Sequence, residues 1–186
     1  MFIKIIIPLI IISILIFLWL KHRQLHNFSN EISKEWFDIR ILFQERNDCI
    51  INMINTIKDF AKNETIIFEE AIGSINRFRA AVASADLNKA NLIEKQLLSS
   101  IEALINLEAL YPEIGGSDVF KDYRQQINNV NKLLKKATDS YNSLVANYNN
   151  TIKEFPFIIT SKIFKLKPMK FYRVEYSIME DSIKST

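Results

Sequence analysis

Sixteen consecutive residues, Ile5 to Leu20, carry no charge, and apart from Pro8 and Ser13 all are large and apolar. At about 1.5 Å per residue, a helix over this run spans roughly 24 Å. Phe2 and Ile3, with Lys4 snorkelling outward, extend it close to the ~30 Å hydrocarbon core of a bilayer. A helix apolar all round needs lipid or a thick protein core to cover it. A chain of 186 residues is about one domain's worth and has no such core to spare. The run therefore reads as a membrane anchor, with Ile5, Ile10, Leu15, Trp19 and Leu20 in its apolar surface. Trp19 is expected at the far interface and Pro8 in the first helical turn, where a missing N–H costs little. A cleaved signal peptide would need small residues at its end, but this run closes on Phe17-Leu18-Trp19-Leu20-Lys21. Lys21 and Arg23 follow it, against Lys4 and the amino group before it. This slight bias puts the rest of the chain on the cytoplasmic side.

The remaining composition excludes several function classes. One cysteine cannot build a disulfide framework, and two histidines cannot complete a Cys/His zinc finger. Three glycines are too few for a phosphate-cradling loop. The net charge of +3 is uneven: residues 21–156 hold 17 basic and 18 acidic side chains, whereas residues 157–186 hold 6 and 3. The middle of the chain thus lacks the clustered basic face that nucleic acid would require.

Between Leu9 and Ile72 there is neither Pro nor Gly. A first soluble helix is predicted from Phe28 to Ala61, with nothing to separate it from the anchor. Its apolar positions are Ile32, Trp36, Ile39, Phe43, Ile50, Met53, Ile57 and Phe60, a heptad seam interrupted by Arg46. Asn63 is expected to end this helix and start a second over Glu64–Ala85, with Ile67, Ala71, Ile75, Phe78 and Val82 on one face. Gly73 inside it suggests close packing. Asp86 caps a third helix, Leu87–Leu110, with the stripe Ile93, Leu97, Ile101 and Leu104. The loop Tyr111-Pro112-Glu113-Ile114-Gly115-Gly116 follows. Ser117 then caps a fourth helix, ended by Pro156, in which Phe120, Ile127, Leu134, Tyr141, Tyr148 and Phe155 recur every seven residues. Tyr123, Val130, Ala137 and Leu144 fill its other seam position.

Few residues invite chemistry. The tyrosines of the fourth helix read as core rings with hydroxyls at the rim. A buried Arg46 would need a carboxylate or several carbonyls; it either fixes helix register or snorkels to the bundle edge. His22 and His26 share a face but have no third ligand in sight and read as interfacial. Cys49 reads as a small buried hydrophobe without a base nearby. Between Thr160 and Arg173 there are five basic residues and no acid: Lys162, Lys165, Lys167, Lys170 and Arg173, interleaved with Phe164, Phe171 and Tyr172. Such a segment suits an anionic membrane surface, at about 1 kcal/mol per charge. The bland reading is a solvated, partly ordered tail.

The fourth helix carries Tyr141-Asn142, then Val145, Tyr148-Asn149, Ile152 and Phe155-Pro156. With Trp36, Arg46, the segment Ile57 to Glu64, and Tyr111-Pro112 ahead of it and Phe164, Pro168 and Phe171 behind, this pattern after an N-terminal anchor resembles the LemA family of bacterial membrane proteins. Asp59, Asn63 and Ile51 stand where that family usually has Gly, His and Pro. Gln125, Gln126, Asn128, Asn129 and Asn131 occupy a stretch usually rich in Glu. The resemblance implies a helical bundle tethered by one N-terminal helix, with the N-terminus outside and the bundle in the cytoplasm. It implies no agreed catalytic activity, and some relatives serve magnetosome membranes.

The expectation is an all-α chain: a single N-terminal transmembrane helix followed by an elongated antiparallel four-helix bundle. Its parts are an anchor and juxtamembrane segment, 1–27, a bundle, 28–156, and a basic-aromatic tail, 157–186. It is expected to be a non-enzymatic interaction or scaffold protein of the bacterial inner membrane that needs no metal or cofactor. Its partners would be the lipid bilayer and membrane proteins, with self-association possible and no nucleic acid. The alternative is an accessory or sensor subunit of a membrane protease or transport complex, which co-purification with one such complex would single out.

Overall fold

The computed structural model describes residues 3–84 and 86–173. Met1, Phe2, Ala85 and residues 174–186 lie outside the described residues, and so do the side chains of Ile3 and Lys4. The expected snorkelling of Lys4 and the last part of the tail fall there. Every regular element among the described residues is a helix: α1 (Ile3–Ile57), α2 (Thr65–Ala83), α3 (Leu87–Leu110), α4 (Pro112–Gly115), α5 (Asp118–Thr151) and α6 (Phe157–Ile163).

The uncharged run and the first helix beyond it form one element, a continuity that the lack of any breaker between them allows. α1 is the one described helix long and apolar enough to cross a membrane, and none of its apolar window is buried. The helix already begins at Ile3, so Pro8 lies inside it and not in its first turn. It removes the bond its N–H would have made to the carbonyl four residues back.

The other ends follow local chemistry. α1 stops at Ile57, whose carbonyl accepts from both Phe60 N and Ala61 N. Phe60 therefore leaves the seam and is 51% exposed. Glu64, not Asn63, precedes α2, and its side chain makes no capping bond because it accepts from the Tyr111 hydroxyl at 2.9 Å. The Asp86 carboxylate accepts from Lys89 N and starts α3. The expected loop after α3 winds one short helix, α4. Ser117 Oγ accepts from Phe120 N and opens α5.

α5 ends at Thr151, short of the expected Phe155. Lys153 N and Glu154 N bond to Asn150 O and Thr151 O, three residues back, and this tightened turn leads into α6. Phe155 is consequently 80% exposed, although its heptad spacing placed it in the core. α6 lies within the segment expected as tail. It closes with Leu166 N donating to Ser161 O and Lys165 at φ 51°, a left-handed cap that Gly would occupy more readily.

Two compact units result, Met1–Trp36 with Ser140–Phe171 and Phe37–Asp139 with Tyr172–Thr186. The juxtamembrane stretch and most of the described tail thus share a unit, and residues 28–156 divide between the two. In the first unit Leu25 and Ile32 from α1 are buried, as are Tyr141, Val145 and Tyr148 from α5. In the second, α2 and α3 pack along each other. Its core takes Ile39, Phe43, Ile50, Met53 and Ile57 from α1. Phe78 of α2, Leu97 and Ile101 of α3, and Phe120, Ile127 and Leu134 of α5 complete it.

Gly73 does not mark a close helix contact. A Cβ there would meet only the Arg77 guanidinium, at 3.4 Å. Gly73→Ala should therefore raise stability by about 0.4–1 kcal/mol, read as a higher thermal midpoint by circular dichroism. A lower midpoint would mean that the site is tighter than this geometry.

Candidate functional site

Two groups of side chains stand out, one in each unit. In the second unit the charge that interrupts the α1 seam meets an opposite charge on α3. Arg46 and Glu94 are both 0% exposed. The guanidinium donates to the carboxylate twice, Nη1 to Oε1 at 2.6 Å and Nη2 to Oε2 at 2.9 Å. Nη1 also reaches Asn131 Oδ1 of α5 at 3.4 Å. Phe43 and Phe78 present their rings to it at 5.5 and 5.7 Å. Arg46 is buried and does not snorkel, and a carboxylate rather than carbonyls satisfies it. The pair is fully enclosed, so its geometry orders helices and offers no open face to a substrate.

The sequence reading did not single out Glu94. A signal for it existed: Leu87, Ala90, Glu94, Leu97, Ile101 and Leu104 step by 3, 4, 3, 4 and 3. Glu94 thus interrupts the α3 seam as Arg46 interrupts that of α1. Asn131 belongs to the amide-rich stretch of α5.

In the first unit the signature residues of α5 hold the chain that follows α6. Asn149 forms a two-bond clasp on one residue: its Nδ2 donates to Met169 O at 2.9 Å, and Met169 N donates to its Oδ1 at 2.8 Å. The Tyr141 hydroxyl donates to Lys170 O at 3.0 Å. Trp36 leans on the Tyr141 ring at 5.5 Å, and Phe28 meets Tyr148 edge-on at 5.9 Å. Burial pushes the Tyr141 and Tyr148 hydroxyls above their ordinary pKa. The rings are core, as expected. The Tyr141 hydroxyl grips backbone where a rim position was expected. Asn142 lies beside them, half-buried.

The same unit joins the end of the apolar run of α1 to α6. Lys21 Nζ stands 4.9 Å over the Phe157 ring, and His22 stacks on Phe164 at 3.9 Å. His26 accepts from Asn30 Nδ2. Pro156 precedes α6 as its N-cap. Lys162, Lys165, Lys167 and Lys170 are all exposed, and none makes an ion pair among the described residues. Ile159, Ile163 and Phe164 are exposed between them.

In the second unit Tyr172, expected among the aromatics of the tail, is buried edge-on against Phe43 at 5.6 Å. The exposed Arg173 follows it, and its N–H donates to Asn91 Oδ1. The segment up to Arg173 is thus pinned to helices through its backbone and Tyr172, while its lysines stay exposed. Pro112 is the first residue of α4 and exposed, while Tyr111 ties the α3 end to Glu64. That bond, and next burial, raise the Tyr111 pKa. Cys49 is buried, and burial, then the Glu45 and Asp48 charges, push its thiol upward, away from the reactive thiolate. Among the described residues no three His, Cys, Asp or Glu side chains stand close enough to hold a metal.

Glu94→Leu leaves the Arg46 charge buried and unpaired. It should cost about 3–5 kcal/mol in urea denaturation followed by circular dichroism. Adding Arg46→Met should recover most of that loss, because an apolar pair of similar size packs there. A double variant as unstable as the single one would mean the pair does more than balance charge.

A family model described as LemA family matches residues 35–183, most of the chain. No curated protein matches it. The match spans Trp36, the Arg46 pair and the α5 clasp, and the chain belongs to the LemA family.

Proposed function

We propose that the chain is a membrane-anchored, non-enzymatic scaffold or interaction protein. Residues 5–20 span the bacterial inner membrane, and the helices beyond stand in the cytoplasm as an antiparallel four-helix bundle. Protein partners at the membrane meet its polar outer faces, self-association is open to it, and nucleic acid is not a partner. No cofactor takes part.

One observation carries this reading: the unburied apolar window of α1 ends at Lys21 and His22, which pack on Phe157 and Phe164 at either end of α6. If α1 spans the bilayer, α6 lies at its surface. Ile159 and Ile163, one turn apart and exposed, then face the acyl boundary, and Lys162, Lys165, Lys167 and Lys170 face lipid phosphates. Arg173 extends the same basic stretch. The closed Arg46–Glu94 pair supports a structural role for the bundle, since a catalytic pair must be reachable.

Carbonate extraction of membranes should leave the full-length protein in the pellet. Its release with the first twenty residues intact would overturn the anchor. For the surface role, residues 21–186 should be floated with liposomes. This fragment begins at Lys21 because Leu25 and His22 pack within the first unit. Flotation should require anionic lipid and fall when Lys162, Lys165, Lys167 and Lys170 are changed to Ala. Equal flotation of both forms would count against lipid contact by this segment.

A further inference from the structure

An open cleft of about 500 Å³ lies between α1 and α2 in the second unit. Arg40, Phe43 and Asn47 recur along one face of α1 at steps of three and four, and Phe78 and Arg79 come from α2. The Phe43 and Phe78 rings meet edge-to-face at 4.7 Å beneath the cleft and are buried, while Val82 and the exposed Ala83 of α2 give it an apolar wall. At the mouth stand three charges, Arg40, Arg79 and Asp48. Arg79 donates to Asp48 at 2.8 Å, while Arg40 is exposed and has no ion-pair partner among the described residues. Among the described residues the mouth therefore keeps one uncompensated positive charge. The wall holds a second unmet demand: Asn47 is 1% exposed, and its Oδ1 accepts no hydrogen bond. Buried acceptors are nearly always paired, so an orphan lining a cleft points to a donor that arrives with a ligand.

These demands together select one chemistry. The ligand carries a single negative charge, an N–H close to it, and an apolar group on the same unit. A fatty acid has the charge and the apolar body but no N–H. A phosphate carries more charge than the mouth balances and has no apolar group. An internal Asp or Glu has a charge and an amide but no apolar side chain on that residue. The free C-terminus of a polypeptide ending in an apolar residue has all three.

We propose that this cleft binds the C-terminal carboxylate of a partner polypeptide, with Arg40 and Arg79 at the carboxylate, Asn47 Oδ1 accepting the last amide N–H, and Val82 and Ala83 beside the terminal side chain. The proposal deepens the interaction reading above and rests on it in one respect, that the captured chain is released unchanged.

The test is calorimetric titration of the full-length protein in detergent micelles, with empty micelles as blank. The ligands are N-acetyl-L-phenylalanine, its carboxamide, 3-phenylpropanoate, and an acetylated tetrapeptide of three alanines and a terminal phenylalanine. N-acetyl-L-phenylalanine should saturate a single site. Loss of the carboxylate or of the N–H should each weaken binding at least about tenfold. The tetrapeptide should bind more tightly than the single residue, which marks a polypeptide end as the source. Arg40→Gln, an exposed change that leaves the thermal midpoint in place, should weaken the tetrapeptide at least about tenfold. Asn47→Leu should bring N-acetyl-L-phenylalanine down to the level of 3-phenylpropanoate. If that variant does not fold, the 3-phenylpropanoate comparison answers the same question. Absence of saturation up to about 20 mM, equal affinity for the first three ligands, a tetrapeptide no tighter than the single residue, or an unchanged Arg40→Gln variant would each overturn the proposal. Cleavage of the tetrapeptide would sink the scaffold reading and leave the cleft standing. Absence of binding would do the reverse.

Discussion

The core of the second unit depends on a single buried charge pair. A heptad seam is degenerate: sliding one helix past another by seven residues returns apolar side chains to apolar side chains. Arg46 and Glu94 remove that freedom, because each interrupts its own seam once and every slipped register would bury two charges apart. The penalty for an unpaired buried charge, about 3–5 kcal/mol, is comparable with a good part of a small domain's total stability. Asn131 adds an acceptor from α5, and Phe78 adds a ring face from α2, so one guanidinium reads the position of four helices at once. Arginine suits this place because its planar fork matches a carboxylate in two bonds and stays charged under all conditions the chain meets.

Much of the fold was legible in the sequence because helix chemistry is local. The Asp86 cap and the Tyr111-Pro112 stop bound α3, and a stretch free of Pro and Gly allowed α1 to be continuous. The departures share one cause. Periodicity says which face of a helix is apolar, but it does not say where the backbone leaves the helix. Phe60 and Phe155 both sit one step beyond a real end, in phase with a seam that no longer exists there. Pro8 was placed by the start of the uncharged run, whereas helix formation begins as soon as backbone bonds can close. The Arg46 partner went unread for a different reason. Pairing across helices is a long-range fact, and only comparing the interruptions of two seams would have exposed it.

The ordering of the segment up to Arg173 does not come from its own residues. Lys165 to Arg173 has no helical period: it intersperses four basic residues with Leu166, Met169, Phe171 and Tyr172 and is interrupted by Pro168, so nothing local dictates one conformation. What orders it is the far wall: Asn149 offers an amide that mimics a neighbouring strand, and Tyr141 supplies one more donor to the next residue. Two hydrogen-bonding side chains eight residues apart on α5 therefore do what a sheet edge would do. Such side chains look like ordinary core and rim positions until the segment they hold is in view. That also gives the Tyr-Asn pattern of α5 a physical reason.

On the proposed reading, the basic residues near α6 cannot be there to keep the protein on the membrane. A spanning helix already does so almost irreversibly, whereas four lysines near an anionic surface contribute only about 4 kcal/mol in total and lose much of it to salt. Their effect must be on arrangement. The anchor brings α6 within reach of lipid, so the lysines act at high effective concentration and even a weak attraction is enough to hold the helix down. The clasp by Asn149 and Tyr141 then transmits that constraint to α5, since the backbone of Met169 and Lys170 cannot lift away without breaking three hydrogen bonds. The anchor thus sets location and the lysines set attitude. An interaction protein needs both, because a partner confined to the same membrane plane meets only the faces that are turned toward it.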